Sequence, residues 1–150
     1  MKLISALMTL LALAGFSGAA MAGDYRNSTL GVSGYDLVAY HTDAQPLRGN
    51  GHHVSQHEGV TYLFSSKKNR TAFEADPAKY LPAYGGWCAF GVSVGKKFVG
   101  DPQVWKLVDG RLYLNLDKNI QQDWQKNIAG RISKADANWA QIRDKSPAEL

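Results

Sequence analysis

The chain of 150 residues has one cysteine, Cys88, so it cannot close an internal disulfide. Small exported domains often staple themselves with paired cysteines, and without that device stability has to come from packing. There is no CxxC pair and no HExxH segment, which removes the self-evident zinc sites. Spacing offers neither a Ser-His-Asp order nor a glycine loop that would cradle phosphate. Histidine is absent outside the stretch from His41 to His57. Charge of either sign is scarce as well, with 17 Lys+Arg against 13 Asp+Glu and a net charge of +4. The basic clusters Lys67-Lys68-Asn69-Arg70 and Lys96-Lys97 are short, which fits solvated faces and argues against a nucleic-acid partner. No internal repeat, low-complexity tract or linker interrupts the chain, and no apolar run after residue 22 reaches the roughly 20 residues of a spanning helix.

What is present begins with an export signal. Lys2 supplies a positive start, residues 3–14 form an apolar run broken only by Ser5 and Thr9, and Ala20-Met21-Ala22 gives an A-x-A cleavage site. The run is too short for a spanning helix and small residues follow it directly, so cleavage is expected rather than anchoring. The expected division is a signal peptide at residues 1–22 and one domain at residues 23–150, periplasmic or secreted, with no membrane span after cleavage. The mature chain loses Lys2 and stays mildly basic, and it is long enough for one proper core.

Along that domain, polar residues 24–34, with Gly31 and Gly34, read as an irregular lead-in, residues 35–40 read as a short helical turn with Asp36 near its start, and Pro46, Gly49 and Gly51 mark a loop. Residues 54–64 read as a hairpin turning at Glu58-Gly59, with Val60, Tyr62 and Phe64 on one face. Ser65 or Ser66 caps a helix carrying Phe73, and Asp76-Pro77 restarts the chain as an N-cap followed by a first-turn proline. Tyr84-Gly85-Gly86-Trp87 reads as a tight turn feeding a helix that ends at Gly95. Strands are expected at residues 98–102 and 105–115, with the hairpin turn at Asp109-Gly110. Ile120, Trp124 and Ile128 then recur every four residues, with Asp117 as cap and Gly130 as stop, and Ile132, Ala135, Trp139 and Ile142 continue as a second helix. The fold class is α+β: a small antiparallel sheet packed by several short helices, two of them C-terminal.

Two groups of residues can do chemistry. Histidine is a common metal ligand and titrates near neutral pH, and all four histidines fall close together in sequence. On a strand, His53 and His57 share a face while His52 points the other way; His41 lies just ahead of the loop. Exposed His52 and His53 with no common ligand are the simpler account of that pair. Cys88 follows two glycines at an expected helix start, where unpaired N–H groups favour a thiolate, but a small buried hydrophobe between Trp87 and Phe90 accounts for it equally well. One thiolate with one or two imidazoles suits copper or zinc, the soft sulfur favouring Cu(I).

Gly34-Tyr35-Asp36-Leu37-Val38-Ala39-Tyr40, Tyr62-Leu63-Phe64-Ser65-Ser66, Asn69, Phe73, Pro77, Tyr80, Pro82 and Tyr84-Gly85-Gly86-Trp87-Cys88-Ala89-Phe90-Gly91-Val92 follow one another in an order that resembles the exported YHS-domain proteins. Residues 108–115 and 132–139 extend that resemblance over nearly the whole mature chain. It implies a metal-binding module in the periplasm; together with the lone thiol and the confined histidines, the expected metal ligands are Cys88, His41 and His57, holding a copper or zinc ion, and the expected partner is that ion or an unknown periplasmic protein. The cysteine pair of metal-handling YHS domains is absent, since Ser65, Ser66 and Asn69 stand in that region. Two other functions stay open: a thiol-based redox protein or enzyme using Cys88, and a metal-free binding or interaction module.

Overall fold

The computed structural model describes residues 30–150. The expected signal peptide and the first part of the lead-in lie outside the described residues. The architecture is α+β, built on two antiparallel hairpins rather than one sheet: β1 (Asn50–His57) pairs with β2 (Val60–Phe64), and β3 (Asp101–Val108) pairs with β4 (Arg111–Asn115). Short helices α1 (Ala39–Thr42), α2 (Lys67–Ala75), α3 (Pro77–Tyr80) and α4 (Ala89–Ser93) fill the connections, and α5 (Lys118–Gln125) and α6 (Ile128–Ile142) close the chain.

Local chemistry explains most of these boundaries. Both hairpins turn on an acidic residue followed by glycine, Glu58-Gly59 and Asp109-Gly110, and all four residues have positive φ, the primed-turn geometry that matches strand twist. The Ser66 side chain accepts from Asn69 N and starts α2, Asp76 accepts from Lys79 N and starts α3, and Asp117 accepts from Ile120 N and starts α5. The C-terminal helices differ from the sequence pattern. α5 stops at Gln125, and Gly130 is not a stop but part of α6, because the Asn127 side chain accepts from Gly130 N and caps a new helix there. β1 also starts earlier than expected, taking Gly51 into the strand, with an irregular register between Asn50 and Val54. The expected strand at residues 98–102 reduces to a single bridge between Trp87 and Val99, followed by β3.

Apolar side chains gather in two clusters. Tyr35, Leu37, Tyr40, Phe64, Phe73 and Leu112 lie in the first, between the hairpins, α1 and α2. Tyr84, Val92, Tyr113, Trp124, Ala135 and Ile142 lie in the second, which seats α4, α5 and α6. At about 25 cal/mol per Å² of apolar surface, burial on this scale is what replaces the missing disulfides. Lys97 ties the end of α6 down: its buried ammonium donates to the carbonyl oxygens of Arg143 and Lys145 and lies over the rings of Trp87 and Trp139. Cations at a helix C-terminus satisfy carbonyls that the helix cannot.

Asp36 organises the first cluster. The residue is fully buried, and its Oδ1 accepts from Val38 N at 2.9 Å and Ala39 N at 3.3 Å, which starts α1. Its Oδ2 accepts from Ser65 N at 2.8 Å, Ser65 Oγ at 2.6 Å and Asn69 Nδ2 at 2.8 Å. A carboxylate taken out of water needs this kind of compensation. Asp36 therefore joins α1 to the end of β2 and to α2.

Candidate functional site

Cys88 is fully buried and caps α4. Its sulfur accepts from Gly91 N at 3.4 Å, its backbone N donates to Phe98 O at 2.9 Å, and its thiol points at Asn115 Oδ1, 3.8 Å away. Asn115 Oδ1 also accepts from Phe90 N at 3.3 Å, which fixes the amide and leaves Asn115 Nδ2 buried without a partner. Burial pushes the thiol above its ordinary range, and the N–H groups of Gly91, Leu116 and Phe90 only partly offset that. The helix-start geometry foreseen from the two glycines is present, but desolvation is the larger effect.

The histidines stand elsewhere. His41, in α1, is partly buried with its ring edge-on to Tyr80 at 5.2 Å, and its Nε2 has no hydrogen-bond partner. Burial, and then the charge of Lys79, lower its pKa. His57 ends β1, its ring 6.1 Å from that of Phe73 and its Nε2 3.9 Å from Glu58 Oε1. His53 and His57 fall on the half-buried face of β1 while His52 is exposed, as strand alternation requires. The contacts of Cys88, His41 and His57 have no residue in common, and among the described residues no three of His, Cys, Asp and Glu stand together where a metal ion could be held. Ser65 is committed to Asp36, donating its Oγ–H to Oδ2 at 2.6 Å.

The shifted groups set the pH response of the fold. The buried thiol holds its proton more tightly than it would unfolded, so the unfolded chain releases it first. Stability is therefore full below the free-thiol value of about 8.5 and falls as pH rises past it. His41 has the opposite sign: the unfolded imidazole takes a proton more readily, so stability falls as pH drops below about 6.5. Unfolding midpoints in urea followed from pH 5 to pH 9, below the range in which unfolding frees the buried phenols of Tyr40, Tyr62, Tyr84 and Tyr113 to ionise, are expected to decline at both ends. Cys88→Ala is expected to flatten the alkaline limb and His41→Phe the acid limb; if neither does, the burial of these two groups is misassigned.

Concave surface lies elsewhere: an open cleft of about 610 Å³ lies between the β3–β4 turn and α6, lined by Val108, Asp109, Ile128, Ile132 and Asp136, and another concave region lies between two unusual turns. Two four-residue turns, Gly31–Gly34 and Ala83–Gly86, have nearly the same unusual backbone: Val32 (φ 47°), Ser33 (φ 53°) and Gly34 in one, Tyr84 (φ 56°), Gly85 and Gly86 in the other, all in the left-handed region. Glycine adopts this readily, but a β-branched valine pays roughly 1–2 kcal/mol for it. The two turns flank a groove made of two connected clefts of about 170 and 460 Å³, which share Leu30, Val32 and Gly85 as walls. The larger is lined by Val60, Tyr62, Leu81 and Pro82, with His57 and Glu58 at the hairpin tip. Gly31 lets the chain pass against the Tyr62 ring, where a Cβ would stand 2.1 Å from the ring. Gly85 lines both clefts, and a Cβ there would meet no other atom within 4 Å.

Sequence reasoning placed a tight turn at Gly85-Gly86 and an irregular lead-in at Gly31 and Gly34, but not the groove between them. The repeated glycines were the one signal that could have found it. The chain matches none of the protein-family models, curated proteins or solved structures compared with it. Among the described residues no helix is long and apolar enough to cross a membrane. The fold and this geometry are therefore what define the molecule: an α+β domain with a buried, unionised thiol and an apolar groove held open by two left-handed turns.

Proposed function

We propose that this chain is an exported, YHS-like binding module that works through the groove between the two left-handed turns, without a resident metal ion. The export signal at residues 1–22 and the ordered motifs around Asp36, Phe64 and Cys88 support the location and the kinship. The observation that carries the binding reading is the coincidence of strain and cavity: non-glycine residues with positive φ, Val32, Ser33 and Tyr84, lie in the two turns that flank the groove. Residues held in sparsely populated backbone regions cluster where a structure is shaped for a ligand. The larger cleft falls within the 300–1,000 Å³ typical of small-molecule sites, and its lining is apolar with a few polar groups at one end. On this reading Cys88 is a packing residue and cap, and a copper or zinc function would require its sulfur to leave the Asn115 and Gly91 contacts.

Ligand-induced stabilisation tests the proposal, with 2-phenylethanol as the probe. A ligand that binds only the folded state at ten times its Kd adds about 1.4 kcal/mol, which for a domain of this size raises Tm by about 4 °C or more. Gly85→Asn is the informative variant, because asparagine tolerates left-handed φ, a Cβ there meets no other atom within 4 Å, and the residue lines both clefts. It is expected to melt near the wild type without probe and to lose the probe's shift. A wild-type Tm that no concentration of probe moves, or a shift that survives in Gly85→Asn, would overturn the groove as the working surface.

A further inference from the structure

The groove has one charged end, and its charge assigns a class of ligand. Its two clefts are lined mostly by aliphatic, aromatic and glycine residues, and among the described residues the one formally charged side chain in their lining is Glu58, beside His57. The hairpin turn sets this position: Glu58 takes a left-handed conformation (φ 50°), which places its carboxylate at the groove mouth next to the His57 imidazole. Among the described residues no lysine or arginine lines either cleft to cancel it. Its field reaches the interior, since the Tyr62 phenol inside the groove is held above its ordinary range by burial first and by the Glu58 charge second. Val60, Tyr62, Leu81 and Pro82 give an apolar body its seat in the same cleft as that charge.

We infer that the groove takes a small apolar or aromatic molecule carrying an ammonium group, with the apolar body against Leu81, Tyr62 and Val32 and the cation toward Glu58 and His57. This rests on the groove reading above and adds the charge of the ligand to it. The apolar body supplies most of the affinity through burial. The cation supplies selectivity of limited size, because the Glu58 side chain is 84% exposed and an exposed ion pair contributes only about 0.2–1 kcal/mol. Anionic analogues are disfavoured by the same carboxylate.

Three probes of one shape separate the inference from its foundation: 2-phenylethylammonium, 2-phenylethanol and 3-phenylpropionate, titrated into the full mature chain at low salt and followed by backbone amide shifts. The expected order is ammonium tightest, by about threefold to fivefold over the alcohol, and carboxylate weakest. In Glu58→Gln the ammonium probe is expected to weaken to the affinity of the alcohol while the alcohol is unchanged. The preference should also shrink as salt is raised to about 1 M, where the Debye length is about 3 Å. Equal binding of ammonium and alcohol, or an ammonium affinity untouched by Glu58→Gln, overturns the charge inference and leaves the groove standing. If none of the three binds, the groove reading falls with it.

Discussion

Asp36→Ala is expected to cost about 3–5 kcal/mol of folding stability, a large fraction of the 5–15 kcal/mol that holds a domain of this kind. The reason is the number of donors left behind. Val38 N, Ala39 N, Ser65 N, Ser65 Oγ and Asn69 Nδ2 all aim at one buried carboxylate, and water cannot replace it without opening the first cluster. Each buried donor deprived of its partner costs about 1–3 kcal/mol, discounted here because the groups relax together. Asp36→Asn keeps one acceptor oxygen but turns an NH₂ group toward N–H donors, so it is expected to fall between alanine and wild type. Ser65→Ala removes one of five bonds and is expected to cost only about 1 kcal/mol. Urea unfolding of the three variants reads this order directly. An Asp36→Ala chain within about 1 kcal/mol of wild type would show that the carboxylate is not the joint between α1, β2 and α2.

Phe73→Ala is the second large effect, at about 3–5 kcal/mol. The ring is fully buried, packs at 5.1 Å from both Tyr62 and Phe64, and presents its edge to His57 at 6.1 Å. Removing it leaves a cavity bounded by the β1–β2 hairpin, which cannot collapse without disturbing the pairing of Tyr62 and its neighbours with β1. Phe73→Leu fills most of the volume and is expected to cost less than half as much, while loosening His57 and so the mouth of the groove. The two variants therefore separate roles: alanine reports on the core, and leucine, still folded, reports on whether the His57 end of the groove depends on that ring. A loss below about 1 kcal/mol for alanine would contradict the packing described.

What could be read from the sequence was local. Glu58-Gly59, Asp109-Gly110, Ser66, Asp76-Pro77 and Asp117 act on neighbours two to four residues away, and each appears in the structure where its chemistry puts it. The break between α5 and α6 was not legible because Ile128 keeps the four-residue rhythm of Ile120 and Trp124, while the deciding group, the Asn127 side chain, is polar and outside that stripe. The Asp36 centre was missed for a different reason: its partners Ser65 and Asn69 lie 29 and 33 residues downstream, and nothing local announces them. Cys88 shows the same limit. Its glycines and helix start leave an activated thiol and a small buried hydrophobe equally open, and what decides between them is the surrounding packing, whose burial raises the thiol's pKa and outweighs the N–H groups of Gly91, Leu116 and Phe90. The closeness of His41, His52, His53 and His57 in sequence likewise said little about space, because strand alternation and the turn of α1 send them to different surroundings. Val32, Ser33 and Tyr84 are not residues that sterics would choose for left-handed backbone, so the pair of turns that shapes the groove could not be foreseen residue by residue.

The account depends on where a ligand touches the molecule. Backbone amide shifts of residues 23–150 under 2-phenylethylammonium give that position directly. The groove account predicts that Val32, Tyr62, Leu81 and Gly85 move together along one saturable curve while Cys88, Phe98 and Asn115 stay fixed. Movement centred on Cys88 and Asn115, with the two left-handed turns silent, would contradict it and return the function to the thiol.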